Sequence, residues 1–475
     1  MTAGTWAISM APVNFITRYG AAGGGRAPAP RLVLALLVLP LIGGTRPMDA
    51  RSPAAEQAID PVLAARYFEE AGVLSRQDNG RLWGVPLYGP MFFVDPETRA
   101  VVANQADHEG KLVAKGGLFV GKLPPEVGPA NTAIRWAGVE WTMVMWPLPE
   151  DRQSRLRLMM HECFHRLQPA LGMTVRDAVN AHLDSLDGRI WLEMEWRALE
   201  HALWHTAESR HQAIEDALYF RSFRRSLFPD AAANENALEL NEGLAEYTGV
   251  KLSTASLAEF AMIADMKLRE TLLGGSTFGR SFAYTSGPAY GYLLDARGAD
   301  WRRSLTSQSD LGQLLADAYE IKLPAPARAE ATRRAQAYDG DEIIALETAR
   351  ERARQEKVNA ARKRFVEGPV LVLPVNGQFN YNFNPHAVLA LDADSTLYEG
   401  EVQVSDAWGV LHSSEGFLMV RRNGLIVRVQ VPAPPDANSR PLKGDGWTLT
   451  LQKGWRVGPG DRPGDYVLKH EDAPH

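Results

Sequence analysis

Between Tyr67 and Val144 the apolar residues come in short runs broken by Gly, Pro, Asn and Asp. Phe92-Phe93-Val94, the turn-forming Asp95-Pro96-Glu97-Thr98 and Val101-Val102-Ala103 predict a β-hairpin, and 51–150 reads as a small β-rich region. At Asp151 the pattern changes, and to about Gly298 apolar residues recur at intervals of three and four with few breakers, predicting helices. In Ile190 to Leu199 this spacing makes Trp191 and Trp196 core residues. Leu323-Pro324-Ala325-Pro326 interrupts it, and the charged, Ala-rich stretch from Arg328 to Arg364 reads as one long solvated helix. Strand signals return from Pro369: Val370 to Leu373, then alternating Phe379, Tyr381 and Phe383, then Met419 to Val427 around Asn423-Gly424, where a tight hairpin turn belongs. The expected class is α+β multidomain. Its parts are a leader (1–50), an N-terminal β-rich region (51–150), a helical domain (151–322), a charged helical linker (323–367) and a C-terminal all-β sandwich or barrel (368–475).

Composition narrows the function. The 475 residues are 45% hydrophobic and 23% charged, ordinary for a soluble globular protein. With 51 Lys plus Arg against 57 Asp plus Glu, the chain lacks the basic footprint of a nucleic-acid binder. Its single cysteine, Cys163, excludes an intrachain disulfide framework and a zinc site built from several thiolates, so any metal must be held mainly by His, Asp and Glu. Arg18, Arg26 and Arg31 precede the apolar run Leu32 to Ile42, which resembles a secretory signal and falls short of the roughly 20 residues of a membrane span. The expectation is export to a periplasmic or extracellular setting, with membrane anchoring if the signal stays uncleaved.

The chemistry centres on His161-Glu162-Cys163-Phe164-His165. On a helix the two histidines lie about 40° apart around the axis, so both imidazoles can reach one ion. Leu156, Met159, Met160, Cys163, Phe164 and Leu167 fall on the opposite side, which describes a hydrophobic back and a polar front facing a cleft. Cys163 is therefore expected to be an inert buried thiol. Glu162, about 100° from His161, flanks the pair and can take a proton from a water on the metal. H-E-x-x-H on a helix has this arrangement, and it needs a third ligand.

Downstream, Asn241-Glu242-Gly243-Leu244-Ala245-Glu246 places two carboxylates on one helical face, with Ala237, Leu240, Leu244 and Tyr247 on the other. One carboxylate suits a metal ligand and the other an acceptor for a ligand histidine N–H. A mid-helix Gly243 costs about 1 kcal/mol relative to alanine, a cost often compensated by close approach of another helix, so the two motif helices are expected to cross there. His201, His205 and His211 read as packing or surface residues.

This segment resembles the Asn-Glu-x-x-x-Asp/Glu motif that follows His-Glu-x-x-His in thermolysin-like zinc peptidases, the gluzincins. The resemblance implies a zincin-like catalytic region with one Zn2+ on His161, His165 and Glu242, while Glu246 orients His161 or His165. Glu242 follows His165 by 77 positions (165 to 242), longer than in thermolysin or the aminopeptidase N family, which implies extra intervening helices and no close family. Tyr284-Thr285-Ser286-Gly287 resembles the Tyr-x-x-Gly segment of aminopeptidase N-like enzymes, where the tyrosine stabilises the oxyanion; Tyr284 is the matching position, with Tyr290 and Tyr292 as alternatives. A Gly-Met-Glu-type exopeptidase signature is missing from the sequence. The implied protein is a zinc metallopeptidase acting on a peptide or protein substrate, with Glu162 as general base. The alternative is a non-catalytic cell-envelope or carbohydrate-binding protein with a structural or decayed metal site; an intact Glu162 favours the enzyme, because a structural zinc prefers four protein ligands.

Overall fold

Asp60 opens helix α1 (Pro61–Asp78), its carboxylate accepting from the Val62 and Leu63 N–H groups. The computed structural model describes residues 59–471, apart from 125–126, 174–177, 179, 274–276, 299, 376–378 and 383–386. The run Leu32 to Ile42 and Phe383 lie outside the described residues. Among the described residues no helix is long and apolar enough to cross a membrane. The unit Glu56–His475 is compact, and mixed in class: a β-region, a helical middle and C-terminal sheets. Helix α1 itself is an addition to the predicted β-rich region. Its buried Ala64, Tyr67, Phe68 and Ala71 have helical spacing that the strand-like sequence after it obscured.

Six strands follow: β1 (Met91–Val94), β2 (Ala100–Ala103), β3 (Val113–Lys115), β4 (Leu118–Lys122), β5 (Thr132–Trp136) and β6 (Val139–Met145). They form one sheet in the order β3-β4-β2-β1-β6-β5, antiparallel except for the parallel pair β1 and β6. The predicted hairpin is β1–β2, with Phe92 opposite Ala103 and Asp95 accepting turn N–H groups from Glu97 and Thr98. Both faces are covered: Met91 and Phe93 join the helical core, whereas Phe92 and Val94 pack with Trp136, Trp141 and Met143.

The helical middle contains α2 (Arg152–Leu167), α3 (Leu186–Trp204), α4 (Ala207–Ser226), α5 (Ala231–Leu238), a π-turn (Glu239–Gly243), α6 (Leu244–Ser253), α7 (Leu257–Leu273), α8 (Phe278–Arg297) and α9 (Leu311–Ala318). Trp191 and Trp196 are buried in its core, as their spacing predicts. The stretch expected to be one solvated helix is instead α10 (Arg328–Ala335) and α11 (Gly340–Arg362), broken at Asp339, whose φ of 56° is left-handed. Both helices dock. Arg334 pairs with Glu215 and Asp216 of α4, and Tyr338 donates to Asp216. Beyond α11 the strands form seven- and five-stranded sheets that contribute to one apolar cluster including Leu371, Trp408, Phe417 and Trp447. Phe417–Arg422 and Leu425–Pro432 pair across Asn423-Gly424, whose positive φ values of 53° and 78° fit the predicted tight turn.

Candidate metal centre

Helix α2 begins where the Asp151 carboxylate accepts from the Ser154 N–H and lies against β5 and β6. Leu156, Met159, Met160, Cys163 and Phe164 are buried as the angular argument predicts, and burial pushes the Cys163 thiol up to about 11, consistent with an inert group. The polar front, however, is covered: His161 and Glu162 are only 5% and 4% exposed. The cover is α6, which can approach because Gly249 carries no side chain; a Cβ there would stand 2.5 Å from the Arg157 carbonyl oxygen. The close crossing expected at Gly243 between the motif helices is therefore at Gly249. Gly243 meets α8 instead, where a Cβ on Gly287 would fall on the Gly243 carbonyl.

Residues 231–253 are continuously helical, interrupted only by the π-turn, in which the Leu244 N–H reaches back to the Glu239 carbonyl. Such turns add a residue to the helix and recur at functional sites. Here the turn contains Asn241, Glu242 and Gly243. Gln168, at the end of α2, donates from Nε2 to the Leu240 carbonyl at 3.0 Å and the Asn241 carbonyl at 3.3 Å. Its amide oxygen therefore faces His165 and accepts from Nδ1 at 2.8 Å. His161 Nδ1 correspondingly donates to Glu246 Oε2 at 2.9 Å.

With both Nδ1 atoms donating, the two Nε2 atoms converge 3.0 Å apart, a spacing at which they must share a proton or another cation. Glu242 Oε2 completes the triangle at 3.4 Å from His161 Nε2 and 3.2 Å from His165 Nε2, without making an aligned hydrogen bond. Three acceptors facing one point require positive charge between them. Ligands about 2.0–2.1 Å from a tetrahedral zinc stand about 3.3 Å from one another, so the observed triangle fits such an ion. The neighbouring Glu162 also offers an oxygen within a 4.8 Å group with the two histidines. Glu242 Oε2 closes the smaller triangle, and Glu162 lies beside it.

The electrostatics express the same demand for a cation. Burial acts to lower the His161 pKa, yet the carboxylates of Glu242 and Glu246 facing its two nitrogens outweigh it and raise the imidazole to about 10. Burial opposes ionisation of Glu242 and Glu246 as well; the imidazoles facing them, and for Glu246 first the charge of Lys267, hold both well below the usual carboxylate range. Glu162 is moved the other way. Burial raises its pKa, the two imidazoles oppose the shift, and Glu242 and Glu246 reinforce it, making a stronger base. Its Oε2 is buried without a hydrogen-bond partner.

Tyr284 stacks its ring on His161, centroids 5.6 Å apart and planes 4° from parallel. Burial and the neighbouring Glu242 carboxylate raise the phenol well above its ordinary pKa. Of the alternatives, Tyr290 donates to Glu195 at 2.7 Å in a separate buried network, and Tyr292 packs with Phe260. The structure thus brings together His161, Glu162, His165, Glu242, Glu246 and Tyr284, and of the two histidines Glu246 meets His161. His201 and His205 are exposed at the end of α3, and His211 donates to the Tyr319 carbonyl. Gln168 and Lys267 were not singled out from sequence. The position of Gln168 three residues after His165 was a usable signal, whereas Lys267 comes from another helix and left none.

The chain matches none of the protein families, curated proteins or solved structures with which it was compared.

Proposed function

We propose that this protein is a zinc-dependent hydrolase of zincin type that cleaves peptide bonds, exported from the cell by its N-terminal segment. The observation carrying the proposal is the triangle of His161 Nε2, His165 Nε2 and Glu242 Oε2, with the orphaned Glu162 carboxylate beside it. Zinc bound there would lower the pKa of a water toward about 7 and polarise a substrate carbonyl. Glu162, raised in pKa, takes the proton of the attacking water and returns it to the leaving amine. Tyr284 stays protonated near neutral pH and can turn its hydroxyl to a developing oxyanion. Glu246 and Gln168 fix the Nδ1–H tautomers, so both Nε2 lone pairs point inward. The peptide-bond assignment is supported by the likeness of 241–246 to the gluzincin motif.

The test compares the wild-type chain with Glu162→Gln. Both should bind close to one equivalent of zinc, and only the wild type should digest casein; the amide keeps the shape and removes the base, with an expected loss of about 100-fold or more. Full digestion by the variant would remove the mechanism, and failure of the zinc-loaded wild type to cut casein would remove the general peptidase assignment.

A further inference from the structure

Glu246 divides its two oxygens between two tasks. Oε2 accepts from His161 Nδ1 at 2.9 Å, while Oε1 lies 2.6 Å from Lys267 Nζ and 3.6 Å from Arg157 Nε. The carboxylate is only 9% exposed, Lys267 comes from α7 and Arg157 from α2, so three helices meet on one buried group. Neither motif contains these cations.

We propose that Lys267 is a positioning residue for the metal centre, acting through Glu246 on His161, with Arg157 as a weaker partner. A carboxylate held at one oxygen only can rotate about its terminal bond. The ammonium on Oε1 removes that freedom and keeps Oε2 aimed at the imidazole N–H, which fixes the ring and the direction of its other nitrogen. It also balances charge in a site where Glu162, Glu242 and Glu246 surround two histidines. Removing one member of a buried pair leaves the other charge uncompensated. The ammonium is the nearer cation, on a side chain 20% exposed, so its replacement leaves the core of α7 in place.

The inference rests on the metal reading above, and a double-mutant cycle separates the two. Zinc affinity is measured by chelator competition on the full chain for wild type, Lys267→Met, Glu246→Gln and the double variant, with thermal unfolding as a check on folding. Lys267→Met should weaken zinc binding about tenfold, the lower end of what losing a partner of a metal-bound histidine costs. Lys267→Arg, which keeps the charge, should recover most of that loss. In the Glu246→Gln background Lys267→Met should cause no further loss, because a residue acting through Glu246 has nothing left to act on. A merely structural lysine would give the same loss in both backgrounds. That result, or wild-type affinity in Lys267→Met, overturns the inference while leaving the metal reading intact. If Lys267→Met does not fold, Lys267→Gln is read by the same criteria. If the wild-type chain itself takes up no zinc, the metal reading falls and this inference falls with it.

Discussion

Glu242 and Glu246 stand one turn apart but meet different nitrogens of His161, Glu242 facing Nε2 and Glu246 accepting from Nδ1. Two effects of substitution follow. Glu246→Ala removes an orienting partner and should cost about 10- to 100-fold in zinc affinity. Glu242→Ala removes a proposed metal bond and should cost distinctly more; zinc titration of both variants measures the difference, and equal losses would mean that the two carboxylates share the ion. The pairing of carboxylates was legible in the sequence, because residues four apart share a helical face. Which histidine each would meet was not legible, since that depends on the angle at which α6 crosses α2. Glu193, Glu195 and Glu239, the other carboxylates within reach by sequence position, are engaged elsewhere: Glu193 by Arg189, Glu195 by Arg221 and Arg224, and Glu239 by Arg221.

At the scale of elements, the centre depends on close helix contacts and on a buried ion network. The network of Arg221, Arg224 and Arg225 with Glu195, Glu235, Glu239 and Asp310 ties α4 to α3, α5 and the π-turn that carries Glu242. Gly287 and Gly291 let α8 lie against the Glu242 helix, and Pro288 cannot donate to the Tyr284 carbonyl one turn earlier. The individual helices were legible from their periodicity, whereas the π-turn and the break at Asp339 were not, because neither alters the apolar spacing enough to read. Helix α11 docks on α3 where Arg189 meets Glu193 at 3.4 Å and Glu347 at 2.6 Å. Burial, then the Glu347 carboxylate, push Glu193 up to about 8 against the opposing pull of Arg189. A raised folded-state pKa means that this contribution to stability is complete below the ordinary carboxyl value and is lost as pH rises through about 8. Denaturant unfolding at pH 5, 7 and 9 should show the wild type losing stability relative to Glu193→Gln, by on the order of a few kcal/mol. Parallel pH profiles for the two proteins would contradict the assignment.

Across the whole molecule, α11 joins two cores. Ile343 packs into the helical core, and at the other end Val358 and Ala361, with Phe365 in the π-turn just after the helix, pack against Leu391, Leu397 and Leu418 of the C-terminal region. The segment expected to be a solvated connector is thus anchored at both ends. The proposed metal site draws on α2, the π-turn, α6, α7 and α8, and the long interval between its two motifs is filled by α3, α4 and α5. The proposal that this assembly binds one zinc ion through His161, His165 and Glu242 is tested most directly by zinc-edge X-ray absorption on the purified chain, alongside its zinc content. The account predicts close to one equivalent of zinc in a shell of nitrogen and oxygen at about 2.0–2.1 Å, two of the scatterers being imidazoles. A sulfur scatterer at about 2.3 Å, or zinc whose spectrum and content are unchanged when His161 or His165 is replaced by alanine, would contradict it.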